Sequence, residues 1–216
     1  MSYPINYPTP QGANIQFFYT GGVKDWVKPQ GASFVWFTLI GAGAGGDGST
    51  TAGSSGAVTN FMCPAFLIPD VLRVSVNTGG TAGNGGGQTS IAYYNPATYT
   101  LLTANGGQTG GVGATAMTAN FFTAMGIFQS VAGQAGSTTN QTPSGTTFLS
   151  GGSVSGPSTA NYGYTIPNGV NNGFFQMQPI IVGMGAENTG KGGIGCGGGL
   201  GNPTQGGDGL VVIITW

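Results

Sequence analysis

The chain has 216 residues with 39% hydrophobic side chains, enough for one domain that buries a sizeable core. Only 4% of residues are charged, with a net charge of −1, where about 25% charged is usual. Its four cations are too few and too dispersed for the counterion release that drives nucleic-acid binding, and no apolar run reaches membrane-spanning length. Histidine is absent and neither cysteine lies in a C-x-x-C, which excludes a zinc site of the usual kind.

Between Val74 and Ala186 there is no Lys, Arg, Asp or Glu. Disordered chains generally combine high charge with few aromatics. Here 12 Phe, 8 Tyr and 3 Trp accompany the missing charge, so the chain reads as ordered, with a Ser/Thr/Asn/Gln/Gly surface.

Residues 1–13 carry Pro4, Pro8 and Pro10 with the echo "YPINYPTP". Proline fixes φ and removes a donor, so this stretch is expected to be an extended arm, with Tyr3 and Tyr7 as candidate docking residues on a neighbouring subunit. It has neither the basic nor the apolar region of a secretory signal. Strand candidates follow at 14–20, 25–29 and 32–40.

The third of these runs into Gly41, Gly43 and Gly46, spelling G-x-G-x-x-G. In a dinucleotide site the last glycine opens a helix whose N-terminus receives the pyrophosphate. The continuation "DGSTTAGSSGAVTN" has no helical period, so the match is read as coincidence in a chain with 45 glycines. "GAENTGKG" (185–192) has P-loop spacing but places Gly192 where a magnesium-binding hydroxyl belongs, and it fails likewise.

Further strands are expected at 56–64 and 71–77. In the latter Leu72, Val74 and Val76 face one way and Arg73, Ser75 and Asn77 the other. Runs 88–94 and 98–104 flank "NPA" as a hairpin. Segment 119–131 is the one short-helix candidate, with Phe121, Phe122, Met125 and Phe128 at helical spacing and read as core. Additional strands are expected at 146–150, 161–166 and 173–184. The chain ends on "LVVIITW" (210–216), continuous enough for a central strand buried on both faces.

The glycines also show a period. Gly80, Gly83 and Gly86 keep a spacing of three, as do Gly107, Gly110 and Gly113, and Gly195, Gly198 and Gly201. A polyproline-II helix has three residues per turn, so such glycines line one edge and let neighbouring main chains approach. The expected fold is all-β: an antiparallel sandwich, jelly-roll-like, with packed glycine-rich connections. Residues 14–216 are expected to form one domain, with 119–185 a candidate insertion.

The two cysteines, Cys63 and Cys196, read as buried free thiols ahead of a disulfide. The carboxylates Asp25, Asp47, Asp70, Glu187 and Asp208 are dispersed and read as solvated loop groups ahead of any pair that meets in space, of which Glu187 with Asp208 is one example. No catalytic, metal or cofactor residue is assigned. Tyr93, Tyr94, Tyr162 and Tyr164 sit in turn-rich contexts where aromatics stack on sugars; they are the candidate receptor contacts, with packing within strands the equal alternative.

The order of motifs adds a resemblance. "WVKP" (Trp26–Pro29) is followed by "FTLIGAGAGG" (Phe37–Gly46), Val71–Gly80, "GGQTS" (Gly86–Ser90) and the closing "GGDGLVVIITW" (Gly206–Trp216). This layout resembles the glycine-rich domain of tail-fibre and other virion proteins of phages and large viruses, also found in some bacterial surface proteins. Residues 119–185 have no counterpart in it. The resemblance implies a β-rich structural module of virions, homo-oligomeric and sometimes at the cell-binding tip, with no catalytic residues to carry over. The expected function is therefore a non-enzymatic virion structural protein that self-assembles, with a trimer the expected symmetry. Its expected partners are itself, other virion proteins and a host-surface glycan or protein. A receptor-binding adhesin at a fibre tip and a secreted glycine-rich filament protein are the alternatives.

Overall fold

The computed structural model describes residues 12–19, 22–47, 51–94, 97–109, 112–136, 192–199 and 205–216. They hold nine strands: β1 (Asn14–Phe18), β2 (Gly22–Val27), β3 (Phe34–Ile40), β4 (Val58–Pro64), β5 (Val71–Val76), β6 (Thr89–Tyr94), β7 (Thr98–Ala104), β8 (Ile127–Val131) and β9 (Leu210–Thr215). A five-stranded sheet runs β1-β9-β3-β4-β8 and a four-stranded sheet β2-β5-β6-β7, with every pairing antiparallel. The strands expected at 146–150, 161–166 and 173–184, and the arm 1–11, lie outside the described residues.

The sheets pack face to face around a core in which alternation is visible strand by strand. Phe37, Leu39, Phe61, Val211 and Ile213 of one sheet meet Trp26, Leu72, Val74, Ile91 and Leu102 of the other. Trp26 lies edge-on to Phe37 with ring centroids 6.0 Å apart, the arrangement that the ring quadrupoles favour. The large sheet has a second apolar face, where Trp36, Ile40, Leu210, Val212 and Ile214 gather with Cys196. Strand β9 is buried throughout, and apolar from Leu210 to Ile214, because it lies between β1 and β3 and serves both faces. Strand β5 instead alternates, because its outer face meets solvent.

Segment 119–131 is not a helix. A single 3₁₀ turn (Thr123–Met125) leads through Gly126 into β8, which pairs with β4. The backbone amide of Thr123 donates to Asn120 Oδ1 (2.9 Å) and that of Asn120 to Thr123 Oγ1 (2.8 Å), a local exchange that competes with helix bonds. A side chain at Gly126 would overlap the Met62 carbonyl, so the chain passes close against β4 there. Of the residues read as core, Phe122 packs on Phe61 at 4.8 Å, whereas Phe121 is 86% exposed.

The glycine-rich connections form a second packed body beside the sheets. Successive residues of 41–46 donate to different neighbours: Ala42 to Gly87 (3.1 Å), Gly43 to Gly207 (2.8 Å) and Ala44 to Ser54 (2.9 Å). Gly45 then returns to the first neighbour at Asn84 (3.0 Å), a repeat of three residues, as a three-per-turn chain requires. The bonds close triangles. Gly43 donates to Gly207, Gly206 to Gly80 (2.9 Å) and Gly80 back to Gly43 (2.9 Å). Ala44 donates to Ser54, Gly53 to Gly198 (2.8 Å) and Gly198 back to Ala44 (2.9 Å). A third triangle joins Ala42, the 86–87 pair and Gly107, and a fourth joins Ser55, the 133–134 pair and Ala114.

Glycine is required here for space. A Cβ at Gly43, Gly53, Gly86, Gly107 or Gly207 would run into a neighbouring carbonyl. Segment 41–46, at the centre, is buried throughout although it is neither strand nor helix. Main-chain polar groups tolerate such burial only when bonded, and the triangles supply the partners.

Candidate functional site

Most charged side chains of the chain that the structure describes collect on one corner. Lys24, Asp25, Lys28, Asp70 and Arg73, five of the nine charged residues, belong to β2, β5 and the turns beside them. The cations look scattered in sequence; the β2–β5 register and the turns beside it bring Arg73 and Lys28 to this corner, each with a carboxylate partner, whereas Lys24 stands opposite Val74 at the alternate position. Asp25 stands directly opposite Arg73, and both occur at outward positions, since Trp26 and Leu72, one step along, fill the core. Asp25 is thus a strand residue, not the loop carboxylate expected from sequence.

Arg73 spans three strands. Its Nε lies 3.8 Å from Asp25 Oδ1 on β2, and its guanidinium carbon lies 4.9 Å from the ring centre of Tyr94 on β6. Contact of a guanidinium with an aromatic face at that distance is a cation–π interaction. Lys28 works as a clip: its ammonium donates to the carbonyls of Ala65 and Ile68 (3.0 Å each) and pairs with Asp70 Oδ1 at 2.9 Å. These bonds tie the 3₁₀ turn Ala65–Leu67 to the end of β2 and hold Asp70 beside the sheet. Between these groups runs an open groove of about 430 Å³, lined by Asp25, Asp70, Arg73, Tyr93 and Tyr94 over Pro69 and Val71.

Of the residues singled out from sequence, Tyr94 is 55% exposed at this groove. Tyr93 borders it while packing partly on the main core. Tyr3, Tyr7, Tyr162 and Tyr164 lie outside the described residues, as does Glu187. Sequence reading missed Asp25, Arg73, Lys28 and Asp70 as companions of the tyrosines. The available signal was the strand alternation of 71–77, which already placed Arg73 outward.

The other motifs resolve as architecture. Gly41, Gly43 and Gly46 of the G-x-G-x-x-G pack against the main chains at Asn105, Cys196 and Gly199, and residues 51–57 beyond them contain no helix. Asp47 Oδ1 accepts from the amide of Thr51 (2.9 Å), and Asp208 Oδ1 accepts from that of Gly79 (2.9 Å), so these carboxylates order glycine-rich backbone. Cys63 and Cys196 are both buried and neither is in a disulfide, one in each apolar layer. Burial pushes the Cys63 thiol up to about 11, with Lys28 opposing the rise. Among the described residues no three His, Cys, Asp or Glu gather as a metal set, and no helix is long and apolar enough to cross a membrane.

No protein-family model matches the chain, and no curated protein is similar to it in sequence.

Proposed function

We propose that this chain is a non-enzymatic structural subunit of a virus particle, a fibre, spike or capsid-associated protein that assembles with copies of itself and with other virion proteins. The observation that carries the reading is the glycine bundle. Closed triangles of main-chain hydrogen bonds make a body whose cohesion needs neither charge nor large side chains. Such a body suits a durable part of a particle exposed to changing pH and salt. Low net charge leaves little repulsion against self-association. Among the described residues, strands β1, β8, β2 and β7 end their sheets, and such edges suit pairing between copies.

Electron micrographs and light scattering of the purified full chain test this. Closed oligomers or fibres at micromolar concentration are expected, a trimer being the expected ring. A strictly monomeric mass across that range argues against it.

A second reading, an adhesin at a fibre tip, is favoured by a specific feature: an exposed tyrosine, a guanidinium and two carboxylates share one groove in a chain otherwise nearly devoid of charge. It predicts binding of purified protein to host cells that is lost on changing the groove.

A further inference from the structure

We infer that the groove between β2, β5 and β6 is a binding site for a neutral pyranose sugar, with Tyr94 as the stacking platform and Asp25, Asp70 and Arg73 as the hydroxyl-reading groups. The inference deepens the adhesin reading and rests on it.

Ligand class follows from what the groove can donate and accept. Ionised carboxylates only accept hydrogen bonds and a guanidinium only donates them. A sugar hydroxyl does both, so vicinal hydroxyls can satisfy a carboxylate and a guanidinium together. Asp70 is 85% exposed and Asp25 64% exposed at the side chain, so both present acceptors to solvent. Arg73 is held through Nε toward Asp25 and through its carbon centre over Tyr94. Its terminal nitrogens have no hydrogen-bond partner among the described residues. Phosphate or a sugar acid would meet two carboxylates and only one uncommitted cation, because the Lys28 ammonium already serves two carbonyls and Asp70. A cationic ligand would meet the guanidinium at the centre of the groove. A neutral polyol meets no like charge.

Shape and order agree. The volume of about 430 Å³ lies within the range of about 300–1,000 Å³ usual for small-molecule sites and accommodates one or two sugar rings. The Arg73 guanidinium covers one face of the Tyr94 ring, and the ring is still 55% exposed, so its remaining surface is open to the C–H face of a pyranose. The reading groups are partly ordered beforehand, Asp70 by its 2.9 Å pair with Lys28 and Arg73 by its contact with the Tyr94 ring, with Nε 3.8 Å from Asp25 and no hydrogen bond, which lowers the ordering cost of binding.

Saturation-transfer NMR on the full chain tests this, with lactose, maltose and methyl mannoside as probes and glucuronate and inorganic phosphate as the anionic arms. At least one neutral sugar should receive saturation at its ring C–H protons. Tyr94→Ala and Asp25→Asn should each weaken that binding about tenfold while leaving the thermal midpoint unchanged. Asp25→Asn keeps the shape of the side chain and carries the test should Tyr94→Ala unfold. Transfer to none of the neutral sugars, transfer only to an anion, or transfer undiminished in the Asp25→Asn protein each overturns the inference. Host-cell binding read with the same preparations separates the sugar site from the adhesin reading. Protein that binds cells but takes no sugar overturns the sugar site alone; protein that takes sugar but binds no cells overturns the adhesin reading and leaves the site.

Discussion

The strand sandwich and the glycine bundle are both buried, both hydrogen-bonded through the main chain and adjacent in one molecule, yet they use side chains in opposite ways. In the sandwich, strands stand apart and the space between sheets is filled by Trp26, Phe37, Phe61 and Leu102. In the bundle, chains lie against one another and the space is closed by the absence of side chains, as at Gly43 against Cys196 and at Gly207 against Gly193. Connections usually run over the surface because buried loops strand polar backbone groups. Segment 41–46 escapes that rule by spending its amides on separate neighbours in turn. A buried connection is therefore available to any sequence that can repeat glycine at the period of the chain's own turn.

The contrast makes opposite predictions for adding and removing atoms. Phe37→Ala, in the fully buried core, should lower unfolding free energy by about 3–5 kcal/mol in denaturant titration. Gly43→Ala adds one methyl group and should cost about 3 kcal/mol or more, because the obstruction is the Cys196 carbonyl, which cannot rotate away as a side chain can. A Gly43→Ala protein as stable as the parent would show that the 41–46 segment is not closely packed.

Lys28 joins the two modes, a side chain serving backbone carbonyls. Lys28→Met keeps the aliphatic stem but leaves the carbonyls of Ala65 and Ile68 without their donor, and about 2 kcal/mol of destabilisation is expected. Asp70→Asn should cost much less, since its 85% exposed carboxylate pairs in high dielectric. Equal losses for the two variants would mean that the ion pair, and not the carbonyl clip, secures the turn.

Legibility in the sequence divides along the same line. Strands β5, β7 and β9 could be read because side chains declare them: alternation in 71–76, the flanks of a hairpin at 98–104, and an unbroken apolar run at 210–214. Strand β8 could not, because Phe121, Phe122 and Met125 imitate a helical stripe while the approach of Gly126 to β4 depends on a distant partner. The glycine period was legible in part: Gly80, Gly86, Gly107 and Gly113 pack on neighbouring main chain, whereas Gly83 and Gly195 have left-handed backbones (φ +70° and +69°) that leave the three-per-turn chain, and Gly110 and Gly201 lie outside the described residues. Gly53 with Gly56 and Gly133 with Gly136 also keep the spacing of three and also pack on carbonyls. The groove was half legible: Tyr94 stood out by type, whereas its neighbours Asp25 and Arg73 meet only through the β2–β5 register.

A smaller effect is expected from Cys63, which lies in the sandwich core near Lys28. An ordinary thiol ionises near 9, and burial raises this one to about 11. Well below pH 9 the thiol is protonated in both folded and unfolded chains, so the fold carries no penalty. As pH rises from 9 toward 11 the unfolded chain releases the proton and the folded chain does not, so stability falls. Relative to Cys63→Ala, the parent should lose about 1 kcal/mol between pH 8 and about pH 10. Parallel stability–pH curves for the two proteins would contradict a buried, protonated thiol.

The finest test of the bundle lies within one segment, at Gly80, Gly83 and Gly86, which share a single sequence period and look equivalent as letters. Gly80 and Gly86 have carbonyls where a Cβ would stand, whereas Gly83 has nothing within 4 Å and a φ of +70°. The first two need space; the third needs a left-handed backbone. Asparagine supplies the second property and not the first, because its short polar side chain tolerates that conformation at little cost. Gly83→Asn should therefore lower stability by no more than about 0.5 kcal/mol and less than Gly83→Ala, which should cost about 1 kcal/mol. At Gly86 the order reverses, with the larger asparagine worse than alanine. Thermal midpoints of the four proteins give the comparison directly, and the same ranking at both positions would refute the distinction between glycine used for room and glycine used for handedness.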